Sequence, residues 1–590
     1  MTPSAEAAIG AAVVMNVCHI LAAAALLTSS DVEKEIRARV AVEKSRRELI
    51  VHYYRIGYSL AYPLPLATAP RTGELPQGIR EIRYPWYTWL SWALEERWRL
   101  LHIAWRRFDD REAATMLQRE LAALSGWNQF TDSPNSVSLS TAHIAACLAD
   151  ALAIRDGWAP EKLQQARAAA ETLLERDVWP WFTKKWSDDR KLKPADLHNI
   201  PVIALARSAQ LARALGSPRA SALDARMQAA LRAWCRHRLS ESRQTEGSAY
   251  DGYLMDSVTG WLQEHPDHNP LLGESRDAFA SLASQWIHLT LPGQPHVQAP
   301  LGDVEPEMPF WQTSLARLAT WYRWPESAWL VRRLPVTQMP AACLVAVLDL
   351  NADSVVPKAG TLEHPHAITM RTGWKSADIL VVVGLPRNMM GHLHADAGHV
   401  IIGWQNRFWI TDPGYQQYRL GEERDFTVGA EAHNAPIIAG KAPSRRAPKL
   451  LSLRQREAAI DLTACYPTLP VGAAVRREVS LQSDGVVIRD FLQRVGRETE
   501  VHTCWQVDAG LAWSFQQGWA RLSDGQHQLW IGTFPGAVKA NQLDRHPGSR
   551  GPLTLRHTET LADGTAERWW VFAQKAAEKW RHTNHPPAAR

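Results

Sequence analysis

The chain has 590 residues, of which 46% are hydrophobic and 22% charged, and a formal net charge of +5. That length exceeds what one hydrophobic core supports, so two or more domains of ordinary globular composition are expected. The mild basicity suits an anionic partner, but no Lys/Arg-rich run is interleaved with aromatics, which argues against a nucleic-acid groove. The cysteines Cys18, Cys147, Cys235, Cys343, Cys465 and Cys504 lie far apart with no Cys-x-x-Cys pair, so neither a zinc–thiolate site nor a dense disulfide scaffold is indicated.

The first segment, Ala7 to Ser29, carries no charge. It reads either as a signal peptide, placing the chain in the periplasm or outside the cell, or as an Ala-rich helix packed on the first domain of a cytoplasmic protein. Glu6 and the lack of a preceding Lys or Arg count against the signal, and Asn16 and His19 against a membrane span. Ser30-Asp31-Val32-Glu33 matches a capping box and predicts a charged helix to about Tyr54, followed by a loop through Pro63, Pro65, Pro70, Gly73 and Pro76. From Tyr84 the helical period is clear: Trp86, Trp89, Trp92, Leu94, Trp98, Leu101 and Trp105 form one apolar stripe. Further helices are expected at about 112–124, 138–155, 160–176, 198–215, 220–239, 275–290 and 310–334, joined by short Gly- or Pro-punctuated turns. No fixed-length repeat appears, so helical hairpins are expected rather than a repeat array.

Near residue 340 the character changes. Leu344–Leu348, Ile379–Val383, Val486–Ile488 and His527–Ile531 read as strands, and Asp484-Gly485, Asp524-Gly525 and Asp563-Gly564 as hairpin turns. Helices first and strands second imply two domains of different class, the second a β-sandwich. The 27 tryptophans serve cores or flat platforms for sugar rings.

Three clusters could carry chemistry. In His392-Leu393-His394-Ala395-Asp396-Ala397-Gly398-His399, a strand reading puts His392, His394 and Asp396 on one face. Val400–Trp404 and Phe408–Ile410 follow as strands around a turn at Gln405-Asn406-Arg407. His394, Asp412 and His433 could converge from neighbouring strands, a donor set that suits zinc or, without a metal, a hydrogen-bonded polar cluster. Asp396 is the favoured supporting partner, because a regular strand turns His399 away. The second cluster, Glu246-Gly247-Ser248-Ala249-Tyr250-Asp251-Gly252-Tyr253, reads as a loop between helices with two tyrosines, for catalysis or for packing. The third, Asp196-Leu197-His198-Asn199, opens a helix, where the N-terminus could hold a ligand carboxylate or be capped by Asp196 or Asn199.

Together these clusters resemble the heparinase II/III-like polysaccharide lyase family. The strongest carriers are His392-Leu393-His394-Ala395-Asp396, Thr411-Asp412-Pro413-Gly414-Tyr415 and Ala432-His433-Asn434, with weaker support from Glu246-Gly247 followed by Tyr250 and Tyr253. The resemblance implies an incomplete (α/α) toroid over residues 30–340 and a C-terminal antiparallel β-sandwich over 341–590. It implies that His392 is catalytic, that His394, Asp412 and His433 hold a structural zinc, and that Tyr253, or failing that Tyr250, is the catalytic tyrosine. His198 and Asn199 would neutralise the substrate carboxylate, although the family's usual order there is Asn-His. Glu246, Tyr250, Tyr415 and Tyr418 would bind substrate.

The implied reaction is β-elimination on a uronic-acid-containing anionic polysaccharide: the C5 proton is removed, the 4-O-glycosidic bond breaks, and a 4,5-unsaturated uronate end remains. A homodimer could form, and no stable membrane span is expected. Two rival readings stand beside the lyase. One is a glycoside hydrolase on the same scaffold, using metal-activated water or paired carboxyls among Glu246, Asp251 and Asp256. The other is a non-catalytic polysaccharide-binding or assembly protein.

Overall fold

The computed structural model describes residues 27–53, 58–70, 86–131, 137–188, 190–304, 308–387, 391–414, 421–441, 443–444, 446–538, 544–545 and 553–574. The apolar stretch from Ala7 therefore lies outside the described residues up to Leu26. No helix among the described residues is long and apolar enough to cross a membrane.

The first half is helical. Ser29–Ser45 is capped by Thr28, whose hydroxyl accepts from the Asp31 N–H while Asp31 accepts from the Thr28 N–H, so the capping box sits two residues earlier than expected. The predicted continuation to Tyr54 is instead a hairpin, Glu48–Tyr53 paired with Tyr58–Pro63. Its Leu49 and Val51 are buried while Ile50 is exposed, the alternation of a half-buried strand.

Trp86–Phe108 follows, with Trp86, Trp89, Leu94, Trp98, Leu101 and Trp105 all buried. Trp92 departs from that stripe and is only half-buried. Arg111–Ala123, Leu139–Leu152, Pro160–Thr172, Asn199–Leu215, Ala220–Leu239, Ser248–Gln263 and His268–His288 complete the hairpins around one core. The result is an incomplete α/α toroid. Leu344–Leu348, expected as a strand, belongs to the helix Ala341–Leu348, and Leu344, Ala346 and Val347 pack into the helical core. A five-residue apolar run has no period of its own, so packing decides its form.

The second half is a sandwich of two antiparallel sheets. One runs in the order Asp544–Arg545, Leu553–Leu561, Thr499–Val507, Arg407–Ile410, Val400–Trp404, Leu380–Gly384, Ala367–Arg371 and Thr361–Glu363, with Pro436–Ile438 also paired to Thr499–Val507. The other runs Lys449–Arg454, Glu457–Asp461, Ala474–Leu481, Gly485–Gln493, Ala566–Ala573, Gln528–Phe534, Trp519–Ser523 and Ala512–Gln516. The Asp-Gly turns fall between strands as their chemistry predicts.

The run Ile379–Val383 is apolar without alternation because both of its faces are buried. Val381 and Val383 join the core between the sheets, while Leu380 and Val382 pack on Leu289, Leu291, Val297, Ala299 and Leu301. The sheet is thereby fixed against the end of the helical half. Leu301 leads directly into Gly302 and Asp303, which enter the site.

Candidate active site at the toroid–sandwich interface

Asn199 is the first residue of the helix Asn199–Leu215, and His198 precedes it without capping it. The exposed amide end of that helix is met by a distant carboxylate. Asn199 N donates to Glu246 Oε2 at 2.7 Å, and Asn199 Nδ2 donates to Glu246 Oε1 at 3.1 Å. Asp196 does not cap this helix; its carboxylate accepts from the Lys193 N–H at 2.9 Å in the preceding turn. The second Asn199 Nδ2 hydrogen points at His392 Nε2, 3.0 Å away. Glu246 is buried, and burial first and the nearby Asp251 second push its carboxyl up to about 8. His198 is half-buried beside this group, and burial, then His392, push its imidazole below the usual range.

Residues 391–399 form turns and loop before the strand Val400–Trp404, not the strand expected for them. The loop is pinned at close quarters. The Gly384 N–H donates to His399 O at 2.8 Å, the Gly398 N–H donates to Gly384 O at 2.9 Å, and a Cβ at Gly384 would collide with Asp396 O. From the other side, the Asp303 N–H donates to His392 O at 2.9 Å. Gly302 has a φ of 74°, and a Cβ there would meet the same carbonyl at 2.5 Å.

Asp303, which the sequence did not single out, joins the two histidines. It accepts from His392 Nδ1 at 3.2 Å, from His394 Nε2 at 2.9 Å and from Arg424 Nη1 at 3.1 Å. Burial pushes the Asp303 carboxyl up, but the hydrogen bonds from His392 and His394 outweigh it and hold the group well below the ordinary carboxylate range. With Nδ1–H on Asp303, His392 presents Nε2 as an acceptor to Asn199.

The expected ligands His394, Asp412 and His433 are all buried, but they fall in two overlapping triads that share His433: His394 with Asp396, and Asp412 with His399. His433 Nδ1 lies 3.2 Å from Asp396 Oδ1 and 3.3 Å from Asp412 Oδ2. His399, set aside on the strand reading, faces Asp412 Oδ2 at 3.2 Å because the backbone here is a loop.

Hydrogen bonding separates the roles of these rings. The Asn434 N–H donates to His399 Nδ1 at 2.6 Å, so a neutral His399 carries its proton on Nε2, toward Asp412. Burial pushes His399 down to about 3, which keeps it neutral at ordinary pH. Its Nε2 lies near Asp412 without an aligned hydrogen bond, and the ring has no lone pair left to offer a cation. His394 is the reverse case. Its Nε2–H is spent on Asp303, and its buried Nδ1 makes no hydrogen bond. Asp396 Oδ1 is likewise buried and, though close to His433, is not aligned for a hydrogen bond. His394, Asp396 and His433 thus form a buried nitrogen and oxygen donor set that fits a divalent cation, whereas Asp412, expected as a ligand, is grouped with His399 in the second triad.

Tyr250 and Tyr253 lie in the first turns of Ser248–Gln263, which starts directly after Gly247 (φ 91°), so this segment is not the loop expected for it. Tyr250 stacks on His392 with ring centroids 3.4 Å apart and 2° between planes. Tyr253 lies edge-on to Tyr250 at 6.4 Å. Its hydroxyl is 2.5 Å from His143 Nε2 and 3.0 Å from Trp92 Nε1. His143 did not stand out in the sequence, and Trp92 read only as one member of the apolar stripe. Asp251 is bound to Arg238 at 2.8 Å, and Asp256 to Arg207 at 3.0 Å and Arg317 at 3.1 Å. The carboxyls available to a hydrolase, apart from Glu246, are therefore tied into ion pairs. Tyr415 and Tyr418 lie outside the described residues.

Residues 369–579 match the family described as Heparinase II/III-like, C-terminal. The sandwich is a heparinase II/III-like domain. The whole chain is similar to a crystal structure of heparinase III, with a TM-score of 0.59 at 12% identity over 96% of this chain and 88% of that one. It is similar to the heparan sulfate lyase HepC from Pedobacter heparinus, with a TM-score of 0.55 at 11% identity over 92% and 83%. It is also similar to the chondroitin AC lyase of Streptomyces coelicolor A3, solved with chondroitin sulphate, with a TM-score of 0.51 at 13% identity over 95% and 81%. At such identities the likeness establishes the shared fold, a toroid followed by a sandwich. No curated protein sequence matches the chain.

If Asp303 joins the two histidines, its loss should be visible at both. In histidine-labelled NMR, Asp303→Ala is expected to remove the hydrogen-bonded N–H signals of His392 Nδ1 and His394 Nε2 and leave the ring signals of His399 unchanged. Retention of both signals would show that another group holds the rings.

Proposed function

We propose that the protein is a polysaccharide lyase that cleaves a uronic-acid-containing anionic polysaccharide by β-elimination, leaving a 4,5-unsaturated uronate end. The observation that carries this reading is the meeting of Asn199 and His392, one from each domain, beside Tyr250 and Tyr253. A proton next to a carboxylate is hard to remove, because a carboxylate poorly accepts more negative charge. A lyase therefore needs donors for that carboxylate and an acid–base group near C5 and O4. The substrate carboxylate takes the Asn199 Nδ2 hydrogen that otherwise points at His392 Nε2, and His392, protonated at the Nε2 thereby freed, is the second donor, with His198 alongside. Tyr253 takes the C5 proton and delivers it to the leaving O4. The electron pair of the C5–H bond becomes the C4–C5 π bond, and the C4–O4 pair leaves with oxygen. Tyr250 keeps the His392 ring in place, and the half-buried Trp92 and Phe310 offer aromatic surface to a sugar ring. A polymeric substrate carries with it a periplasmic or secreted location.

Zinc is the cation this reading assigns to His394, Asp396 and His433, with Asp412, 3.3 Å from His433 Nδ1, beside them. When bound, it would tie the His392 loop to the strands of the sandwich, a structural task. The proposal predicts about one zinc per chain by elemental analysis of the purified protein. It also predicts that His394→Ala loses the metal and lowers the thermal transition; a metal-free native chain of unchanged stability would remove zinc from the reading.

The central test is a screen of uronate polymers for product with near-ultraviolet absorbance. Tyr253→Phe should lower turnover on the cleaved polymer by at least about 10²-fold. Unchanged turnover would remove Tyr253 from the chemistry. Reducing ends without that absorbance would favour a hydrolase, and tight binding without cleavage a binding protein.

Glu246 sets a pH limit. Uncharged below about pH 8, it stands beside the clamp without repelling an anionic substrate. As the pH rises through that value it ionises, and KM is expected to rise. Glu246→Gln should flatten this alkaline rise, and an alkaline limb identical in the variant would show that another group titrates.

A further inference from the structure

A second polar chain runs through the toroid wall behind Tyr253. Trp92 and Glu95 lie one turn apart on Trp86–Phe108, His143 on Leu139–Leu152 and Tyr253 on Ser248–Gln263. Glu95 Oε2 accepts a hydrogen bond from His143 Nδ1. His143 Nε2 faces Tyr253 Oη at 2.5 Å, with the two rings 5.7 Å apart and 21° from parallel. Trp92 Nε1 reaches Tyr253 Oη at 3.0 Å and His143 Nε2 at 2.9 Å.

The donor inventory orders this chain. An ionised carboxylate only accepts and an indole N–H only donates. With the His143 Nδ1 proton on Glu95, Nε2 is an acceptor and takes the tyrosine O–H, while Trp92 donates to the tyrosine oxygen. His143 is 5% exposed and Tyr253 6%, so little water competes. Burial pushes the Glu95 carboxyl up, but Arg99 and His143 outweigh it and hold Glu95 well below the usual carboxylate range.

We propose that Glu95 and His143 are positioning residues that store the phenolic proton of Tyr253: His143 Nε2 takes it, Glu95 holds the resulting imidazolium, and the Trp92 N–H donates to the phenolate. This rests on Tyr253 being the acid–base group of the lyase reading. The O–H bond of Tyr253 breaks as the N–H bond on His143 forms. The phenolate then takes the C5 proton, and the same proton passes to O4 as the C4–O4 bond breaks. Tyr253 ends as phenolate and His143 keeps the stored proton for the next turnover.

The surrounding charges permit this transfer. Arg99, Arg207 and Arg317 are balanced by Glu95, Asp150 and Asp256 through pairs such as Arg99–Asp150 at 2.9 Å and Arg207–Asp256 at 3.0 Å. Cys147 lies beside them as a thiol whose ionisation burial opposes. Moving a proton from Tyr253 to His143 leaves the net charge of the buried group unchanged. Phe310, 5.1 Å from the Tyr253 ring, keeps that side apolar.

The test is NMR titration of the full chain with ring-labelled tyrosine, using Tyr253→Phe to assign the signal. In the native chain the Tyr253 midpoint is expected at least about one pH unit below an ordinary tyrosine, near 10. Both Glu95→Gln and His143→Ala should return it toward that value, with near-ultraviolet circular dichroism confirming the fold. If His143→Ala fails to fold, Glu95→Gln carries the comparison. On a cleaved polymer, the acidic limb of kcat should move up with the midpoint, and added imidazole should restore part of the rate of His143→Ala. A Tyr253 midpoint at or above 10, or one unmoved in the folded variants, overturns the relay even if the chain is a lyase. A lowered midpoint without unsaturated product from any polymer overturns the lyase reading and leaves the relay standing.

Discussion

The site depends on one buried carboxylate with three cationic or N–H-bearing partners. Asp303 lies at the end of the helical half, is 1% exposed, and holds His392, His394 and Arg424. A charge so deep costs several kcal/mol unless it is paired and hydrogen-bonded. The two histidines supply that pairing, and in return their tautomers are set. His392 turns Nε2 toward Asn199, and His394 turns Nδ1 toward the acidic cluster. One side chain from the toroid thus decides what two side chains of the sandwich can do.

Everything around Asp303 keeps the loop that bears those histidines from shifting. Gly302 and Gly384 let backbones approach where a side chain would not fit. From the second sheet, the fully buried Arg477 crosses the sandwich, pairs with Asp490 at 2.6 Å, and donates to Gly398 O at 2.7 Å and Asn434 O at 2.6 Å. Asn434 in turn donates to Val400 O and Thr411 O and accepts from the Gln506 N–H. The loops carrying His399, Asp412 and His433 are thereby referred to one rigid frame, although they come from separate parts of the chain.

The helical side contributes two different electrostatic settings. At the Asn199 end, burial and Asp251 keep Glu246 protonated into the neutral range, suiting a place beside an anionic sugar. Behind Tyr253, Arg99 and His143 keep Glu95 ionised despite similar burial, suiting a counter-ion. Two carboxyls of one type, in one toroid, differ because one has a guanidinium and an imidazole against it and the other has a second carboxylate.

Much was legible in the sequence itself. The Trp86–Trp105 stripe, the punctuated helices and the Asp-Gly turns announce helices followed by antiparallel strands, because each is a local pattern enforced by backbone period and turn sterics. His392, His394, Asp412, His433 and Asn199 stood out as candidates because their short motifs, each weak alone, together resemble one family's pattern. What the tertiary structure decided is non-local. Leu344–Leu348 is a helix because the helical core accepts it. His399 turns inward because its backbone is a loop. Asp303, His143 and Glu95 are single polar residues in stretches that read as ordinary helix or connection, Trp92 reads as one member of an apolar stripe, and they acquire meaning at the site only through partners tens to hundreds of positions away. Sequence period determines which face of an element is buried; it carries no record of which polar group will be waiting there.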